Sequence, residues 1–381
     1  MKSPAPILAR DLIRRDGPTG GAREHRALLS LADITLAPGD QLSLVRDDVD
    51  DDVFHLKCPV GPGGMPRRRR RAVEGIHLDA RRARSHLKVR ELEGMLPEGN
   101  PVTFRPKEAE RTRVQEHLDG RRDEGEPSKD PKTGEQLDRG GTIFGSDDRY
   151  LFNDRTFPWR TTGLIRTAGG RCSGTTIGPR LVLTASHCVN WTGDGGAGWI
   201  TFTPGAFDGD EPWGEIAATQ VVFWLQAPGS LSDQQTAFDY VVLVMEEEVG
   251  EVIGYPGYRT YDDDWNGGGF WQYTGYPGEL GGGGRPAFQG DCVISSAQGQ
   301  SLGGNDGLVL GHFNEFTPGQ SGGAVWGWWD GEPWPRVVGV GSTIGSTAVQ
   351  SPTGSTIGDN EFGGGPALST LISWSRDNFP A

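Results

Sequence analysis

Long hydrophobic runs are missing from this 381-residue sequence. Without ~18 consecutive apolar residues, no segment reads as a membrane-spanning helix. A strict three-residue glycine period is also missing, so the 60 glycines do not signal collagen. No repeat of about 20–50 residues recurs, which argues against a propeller. The chain lacks the basic excess expected of a nucleic-acid binder: its formal net charge is −14. Lysine is absent after Lys132 and tryptophan is absent before Trp159. Hydrophobic residues make up 35%, which is low but not the composition of a wholly disordered chain. A chain of this length holds about two domains.

The two lopsided absences divide the sequence. Residues 1–140 carry 27 of the 37 Lys+Arg and 25 of the 51 Asp+Glu, so they are nearly neutral and highly charged. The remainder has 10 basic against 26 acidic residues, all twelve tryptophans and 46 of the glycines. Tryptophan brings a large apolar surface that needs a packed core. The polar stretch at 125–142 reads as a linker. We therefore expect a charged, partly disordered N-terminal segment at 1–142 and a folded domain at 143–381. The run Arg67–Arg71 is read as a solvated charge run, and Asp79–Leu96 as a basic amphipathic helix. Met1–Gly20 has no continuous apolar core and does not read as a signal peptide.

The second part punctuates like an all-β domain. Short segments rich in Val, Ile, Thr and aromatics predict strands at Gly163–Arg166, Cys172–Ile177, Leu181–Ala185, Gly198–Thr203, Ala217–Leu225 and Tyr240–Met245. Further strands are predicted at Phe270–Tyr276, Cys292–Ala297, Gly307–Phe313, Ala324–Trp328 and Arg336–Ser342. Only Ala367–Asn378 reads as a helix, with Leu368, Leu371, Ile372 and Trp374 on one face and Pro380 behind it.

Three places carry chemistry. His187 ends an apolar strand in L-V-L-T-A-S-H-C-V, a rigid mount for a general base. Ser321 sits between glycines in P-G-Q-S-G-G, which exposes its hydroxyl and leaves the Gly319 and Ser321 N–H groups for a developing oxyanion. Asp239 heads the apolar strand in F-D-Y-V-V-L-V-M, where a buried carboxylate needs a donor such as an imidazole N–H.

With these blocks the chain resembles the chymotrypsin-like serine proteases, in the chain order histidine, aspartate, serine. The glutamine before the serine, and D-D-R-Y-L-F-N-D at 147–154, look more like the glutamyl endopeptidase branch. The resemblance covers roughly residues 143–381. It implies an all-β fold of two six-stranded antiparallel barrels with a C-terminal helix. It also implies a serine endopeptidase with Ser321 as nucleophile, His187 as base and Asp239 orienting it, and no cofactor and no metal. Cys172 and Cys188 stand where the family forms a disulfide. Cys292 is either free or paired with Cys58.

The resemblance places the substrate pocket at Phe316, Thr317, Gly341, Ser342 and Thr343, and this residue set suggests a neutral or mixed pocket. His312 is read as a packed histidine, and Asp262–Asp264 as a solvated acidic loop. Substrates would be proteins or peptides, with no nucleic acid and no membrane. Residues 1–142 would be an intramolecular pro-segment removed near Ile143–Gly145 from a secreted precursor. Two other readings compete: an inactive protease-like binding module, and a protease fused to an N-terminal interaction domain.

Overall fold

The computed structural model describes residues 4–12, 43–46, 54–57, 71–83, 93–97, 102–110, 147–227, 231–279, 281–350 and 356–381. The linker, residues 67–70 of the arginine run, Cys58 and the expected mature start lie outside them. Contacts divide the chain into Gly17–Arg70 and a larger unit of Met1–Asp16 with Arg71–Ala381. In the smaller unit, β1 (Ser43–Arg46) and β2 (Phe54–Lys57) pair antiparallel.

The larger unit begins with three short strands, β3 (Glu74–His77), β4 (Glu108–Glu110) and β5 (Tyr150–Phe152). Its first barrel comprises β6 (Thr162–Thr167), β7 (Arg171–Gly178), β8 (Leu181–Thr184), β9 (Ile200–Pro204), β10 (Ile216–Phe223) and β11 (Val241–Met245). Pairing of β11 with β10 closes it. Then follow β12 (Gly257–Tyr258), β13 (Gly269–Gly275), β14 (Ala287–Leu302), β15 (Asn305–His312), β16 (Ala324–Gly327), β17 (Arg336–Gln350) and β18 (Thr356–Gly364). Of these, β13, β16, β17, β18, β15 and β14 form a second six-stranded circuit, closed where β13 pairs β14. All eleven strands expected from the sequence form.

The apolar runs of β8 and β11 follow from burial on both faces. Leu181 and Leu183 point into the core that also holds Trp326 and Leu371, and Val182 points into the first barrel. In β11, Val242 and Val244 take the first direction, and Val241, Leu243 and Met245 the second. A period of two with both faces covered leaves no polar position to alternate with. The helix Pro366–Asn378 starts with proline and buries Leu368, Leu371 and Ile372 in the same shared core. Trp224 Nε1 ties it to the first barrel by donating to Ala367 O at 3.0 Å.

No pattern in the sequence marks β3, β4 or β18. The two charged N-terminal strands lie at sheet edges: β3 runs parallel to β10, and β4 pairs β5, which pairs β14. Charged edge strands have no hydrophobic alternation to read. Residues 4–12 pack against the second barrel, with Ile7 N–H donating to Trp328 O at 2.7 Å and Leu12 fully buried. Strand β18 is hidden by glycine, which otherwise signals turns. A Cβ on Gly363 would stand 2.5 Å from Thr236 O, and one on Gly364 2.8 Å from Val338 O. Of the expected helix at Asp79–Leu96, the structure has Ala80–Ala83 as helix and Glu93–Pro97 as non-helical.

Candidate active site

Antiparallel register brings histidine and aspartate together. In the β8–β11 pair, Thr184 is opposite Val241 and Leu183 opposite Val242. Continued outward, that register sets Asp239 beside Ser186, next to His187. Ser186–Cys188 forms a single 3-10 turn. Its anchors are Ser186 Oγ, which donates to Leu225 O at 2.8 Å, and Trp191 Nε1, which donates to Ser186 O at 3.0 Å.

Asp239 is 0% exposed and its carboxylate accepts three hydrogen bonds. Oδ1 accepts the His187 backbone N–H at 2.8 Å, and Oδ2 accepts from His187 Nδ1 at 2.6 Å and from Ser342 Oγ at 2.6 Å. Three donors compensate the cost of burying this charge. Burial disfavours the imidazolium, but the Asp239 carboxylate outweighs it, so the His187 pKa is raised above its ordinary value. With Nδ1 committed to Asp239, Nε2 is the nitrogen left for a proton from outside.

The serine loop is held from both barrels. Ser173 N–H donates to Ser321 O at 2.8 Å, and Ser173 Oγ donates to Gly319 O at 2.7 Å. Cys172, next to Ser173, is disulfide-bonded to Cys188, next to His187. This short chain of contacts carries Ser321 to the neighbourhood of His187. From the other side, Gly322 N–H donates to Gly341 O and Gly341 N–H to Gly323 O, both at 2.8 Å. Gly322 has φ +84°, and a Cβ there would stand 2.2 Å from Thr184 Oγ1, so the turn needs glycine.

Two peptide units of this loop have anchored carbonyls. Pro318 O accepts Gly278 N–H at 2.7 Å, and Gln320 O accepts Tyr273 Oη–H at 2.6 Å and Gly323 N–H at 2.9 Å. In a trans peptide the N–H points opposite to the C=O. The Gly319 and Ser321 N–H groups therefore point away from these anchors, and among the described hydrogen bonds neither has an acceptor. Ser321 Oγ donates to no imidazole nitrogen among the described hydrogen bonds; His187 Nε2 lies 3.9 Å from Cys188 Sγ.

The five expected pocket residues are differently placed. Ser342 is buried and its hydroxyl turns to Asp239. Phe316 stacks on Tyr273 within the second barrel. Thr317 accepts from Arg149 Nη1 at 2.6 Å and donates to Glu279 Oε1 at 2.6 Å. Gly341 faces Tyr273 Oη, which a Cβ would meet at 2.3 Å, and Thr343 is half-buried. His312 is fully buried, stacks on Phe362 at 3.8 Å and accepts Asn314 N–H at Nδ1. Burial pushes its pKa down to about 3. Cys292 is free and buried, and Cys58, its alternative partner, lies outside the described residues. Asp262 caps a 3-10 turn by accepting Asp264 N–H at 3.0 Å. Nothing in the local sequence marks Ser173, and Arg149 lies in the D-D-R-Y-L-F-N-D segment at 147–154 without any sign there of its contact with the serine loop.

Among the described residues, the three potential metal donors that cluster are Cys172, His187 and Cys188. The two sulfurs are joined to each other, and a disulfide offers no thiolate. No described helix is long and apolar enough to cross a membrane.

Two antiparallel barrels bearing histidine, aspartate and serine in this order make the chain similar to the chymotrypsin-like serine proteases. Within that class the similarity is to the glutamyl endopeptidase branch. No family model matches the chain. Over 156 residues it is 32% identical to the glutamyl endopeptidase of Bacillus licheniformis, covering 40% of this chain and 48% of that protein. Over 126 residues it is 29% identical to a Bacillus subtilis protein named extracellular metalloprotease, covering 31% of this chain and 39% of that one. A solved structure of a Glu endopeptidase in complex with MPD aligns at 21% identity with TM-score 0.46, covering 62% of this chain and all of that one. The chain thus spans less than half the length of the curated relatives it matches.

Proposed function

We propose that the protein is a secreted serine endopeptidase that cleaves protein or peptide substrates through an acyl-enzyme. Ser321 Oγ attacks the scissile carbonyl while His187 Nε2 takes its proton. His187 then gives that proton to the leaving amine, and the oxygen bears the negative charge beside the Gly319 and Ser321 N–H groups. Water repeats the sequence to release the acid. Asp239 holds the imidazole with Nδ1–H inward and stabilises the imidazolium. The observation that carries this reading is the fully buried Asp239 carboxylate, which spends two of its three hydrogen bonds on His187. Catalytic hydrogen bonds are often long without substrate, so the Ser321–His187 bond is one that substrate binding completes.

A second reading, an inactive protease-like binding module, draws on the same Ser321 geometry. A fluorophosphonate probe separates the two. The wild-type chain labels at Ser321, and Ser321→Ala abolishes labelling. Turnover of fluorescein-labelled casein falls at least ~10⁴-fold in Ser321→Ala and in His187→Ala. No labelling of the wild type, both as the full chain and after cleavage near residue 143, favours the binding module.

Residues 1–142 act as a pro-segment. The seating of β3 on β10 and of β4 on β5 supports an intramolecular role over a separate interaction domain.

A further inference from the structure

One cation is buried against the serine loop, and the proposed mechanism does not use it. The Arg149 side chain is 0% exposed. A guanidinium has five N–H donors, and here all five are engaged. Nε and one Nη2 hydrogen go to Asp147, at 3.0 and 2.8 Å, and the other Nη2 hydrogen goes to Glu279 Oε1 at 2.8 Å. Nη1 donates to Thr317 Oγ1 at 2.6 Å and to Gln320 Oε1 at 2.5 Å. Desolvation opposes the charge, but Asp147 and Glu279 outweigh it, and the cation stays fully protonated. With no donor left and no exposed surface, Arg149 cannot bind a substrate carboxylate.

Two of its five bonds end on the loop that presents the nucleophile. Gln320 directly precedes Ser321 and is 1% exposed. Its side chain folds back so that Oε1 accepts Thr317 N–H at 3.0 Å, while its own N–H donates to Thr317 O at 3.0 Å. The Thr317–Gln320 turn is thus closed by backbone and side chain together. Inside it Gly319 has φ +97°, which glycine adopts without steric cost, so the direction of its N–H depends on what closes the turn. The two peptide units flanking Gly319 and Gln320 carry the N–H groups assigned to the oxyanion. Their direction changes if Gln320 swings.

We infer that Arg149 is a positioning residue: its buried guanidinium locks Gln320 and Thr317 and so aims the Gly319 and Ser321 N–H groups at the reacting oxygen. The lock comes from a segment near residue 147, far in sequence from the loop it sets. This inference rests on the endopeptidase reading, and its test is built to fail separately.

The test uses the full chain, a fluorophosphonate probe with kinact and KI measured separately, and fluorescein-casein turnover per titrated site. Arg149→Met is expected to lower kinact and turnover per site at least tenfold, with KI within about threefold and the far-ultraviolet circular dichroism unchanged. Arg149→Lys is expected to recover part of kinact, because an ammonium restores the charge with three donors instead of five. Wild-type kinact and turnover per site in Arg149→Met would overturn the inference while leaving the endopeptidase reading intact. If Arg149→Met does not fold, Gln320→Met decides: it leaves the cation with both carboxylates, and unchanged kinact in that variant overturns the inference. Failure of the wild type to label, both as the full chain and after cleavage near residue 143, removes the endopeptidase reading, and this inference with it.

Discussion

The two barrels furnish the site by different means. The first holds His187 and Asp239 with apolar strands buried on both faces, a closing register and a disulfide. The second holds Ser321 with a polar lattice. It buries Arg149, Gln320 and Tyr273 at the loop, with His312 in β15, Glu361 in β18 and Glu315 just after β15 also buried. Burial raises the carboxyl pKa of Glu315, whose side chain meets Gln289, to about 7, and that of Glu361 also to about 7. An imidazole has to hold one tautomer against a carboxylate, which a stiff apolar mount achieves. An oxyanion site has to aim backbone N–H groups, which requires anchored carbonyls and therefore buried polar partners.

That contrast can be broken at either end. Among variants that keep Ser321 and His187, the largest effect is expected at the acid. Asp239→Asn should lower casein turnover about 10³–10⁴-fold with little loss of fold, because the amide cannot orient the imidazole as the carboxylate does. The pH dependence checks the cause. His187 must be neutral to act as base, and its pKa is raised, so wild-type kcat/KM should rise with pH through a value above 6.5. In Asp239→Asn that limb should move to lower pH.

Next comes the brace of the first barrel. Replacing Cys172 and Cys188 together by alanine removes a cross-link over 16 residues and should cost about 3 kcal/mol in urea unfolding. Equal loss from a variant confined to the second barrel's lattice would erase the proposed difference between the two halves.

The second barrel should instead show its character through pH. His312 has a folded pKa of about 3 against 6.5, so the native state binds fewer protons than the unfolded one between those values. Stability from this group is present above 6.5 and is lost as pH falls toward 3. The two raised carboxyls act oppositely: their contribution is greatest below 4.5 and declines as pH rises to about 7. His312→Phe should therefore flatten the acid side of the stability profile, by roughly 1–3 kcal/mol at pH 4 relative to pH 7. Urea midpoints at the two pH values measure it. The smallest effect is expected where the barrels meet: Ser342→Ala removes one of three donors to Asp239 and should lower turnover about tenfold.

Most of this architecture was legible in the sequence. Strands with a β-branched or aromatic pattern and glycine boundaries were readable, because that pattern is what a half-buried or fully buried strand requires. The short edge strands and β18 were not, since charge and glycine there answer to neighbours that only folding supplies. In the site, His187, Asp239 and Ser321 stood out because each lies in a local context unusual for its side chain. The resemblance places Ser342 in the pocket, and in the structure its hydroxyl faces the Asp239 carboxylate. The orientation of a strand residue depends on register and bulges, and β17 carries a register shift between Gly341 and Thr343.

The order of His187, Asp239 and Ser321, the strand-rich character of the second part and the places of its turns were decided by the sequence alone, because they depend on local propensity and spacing. Folding alone decided that Asp239 receives three donors, that Arg149 reaches a loop some 170 residues away, and that charged N-terminal segments become edge strands. Each of these is a contact between distant parts of the chain, and its energy exists only once water has been excluded from the space between them.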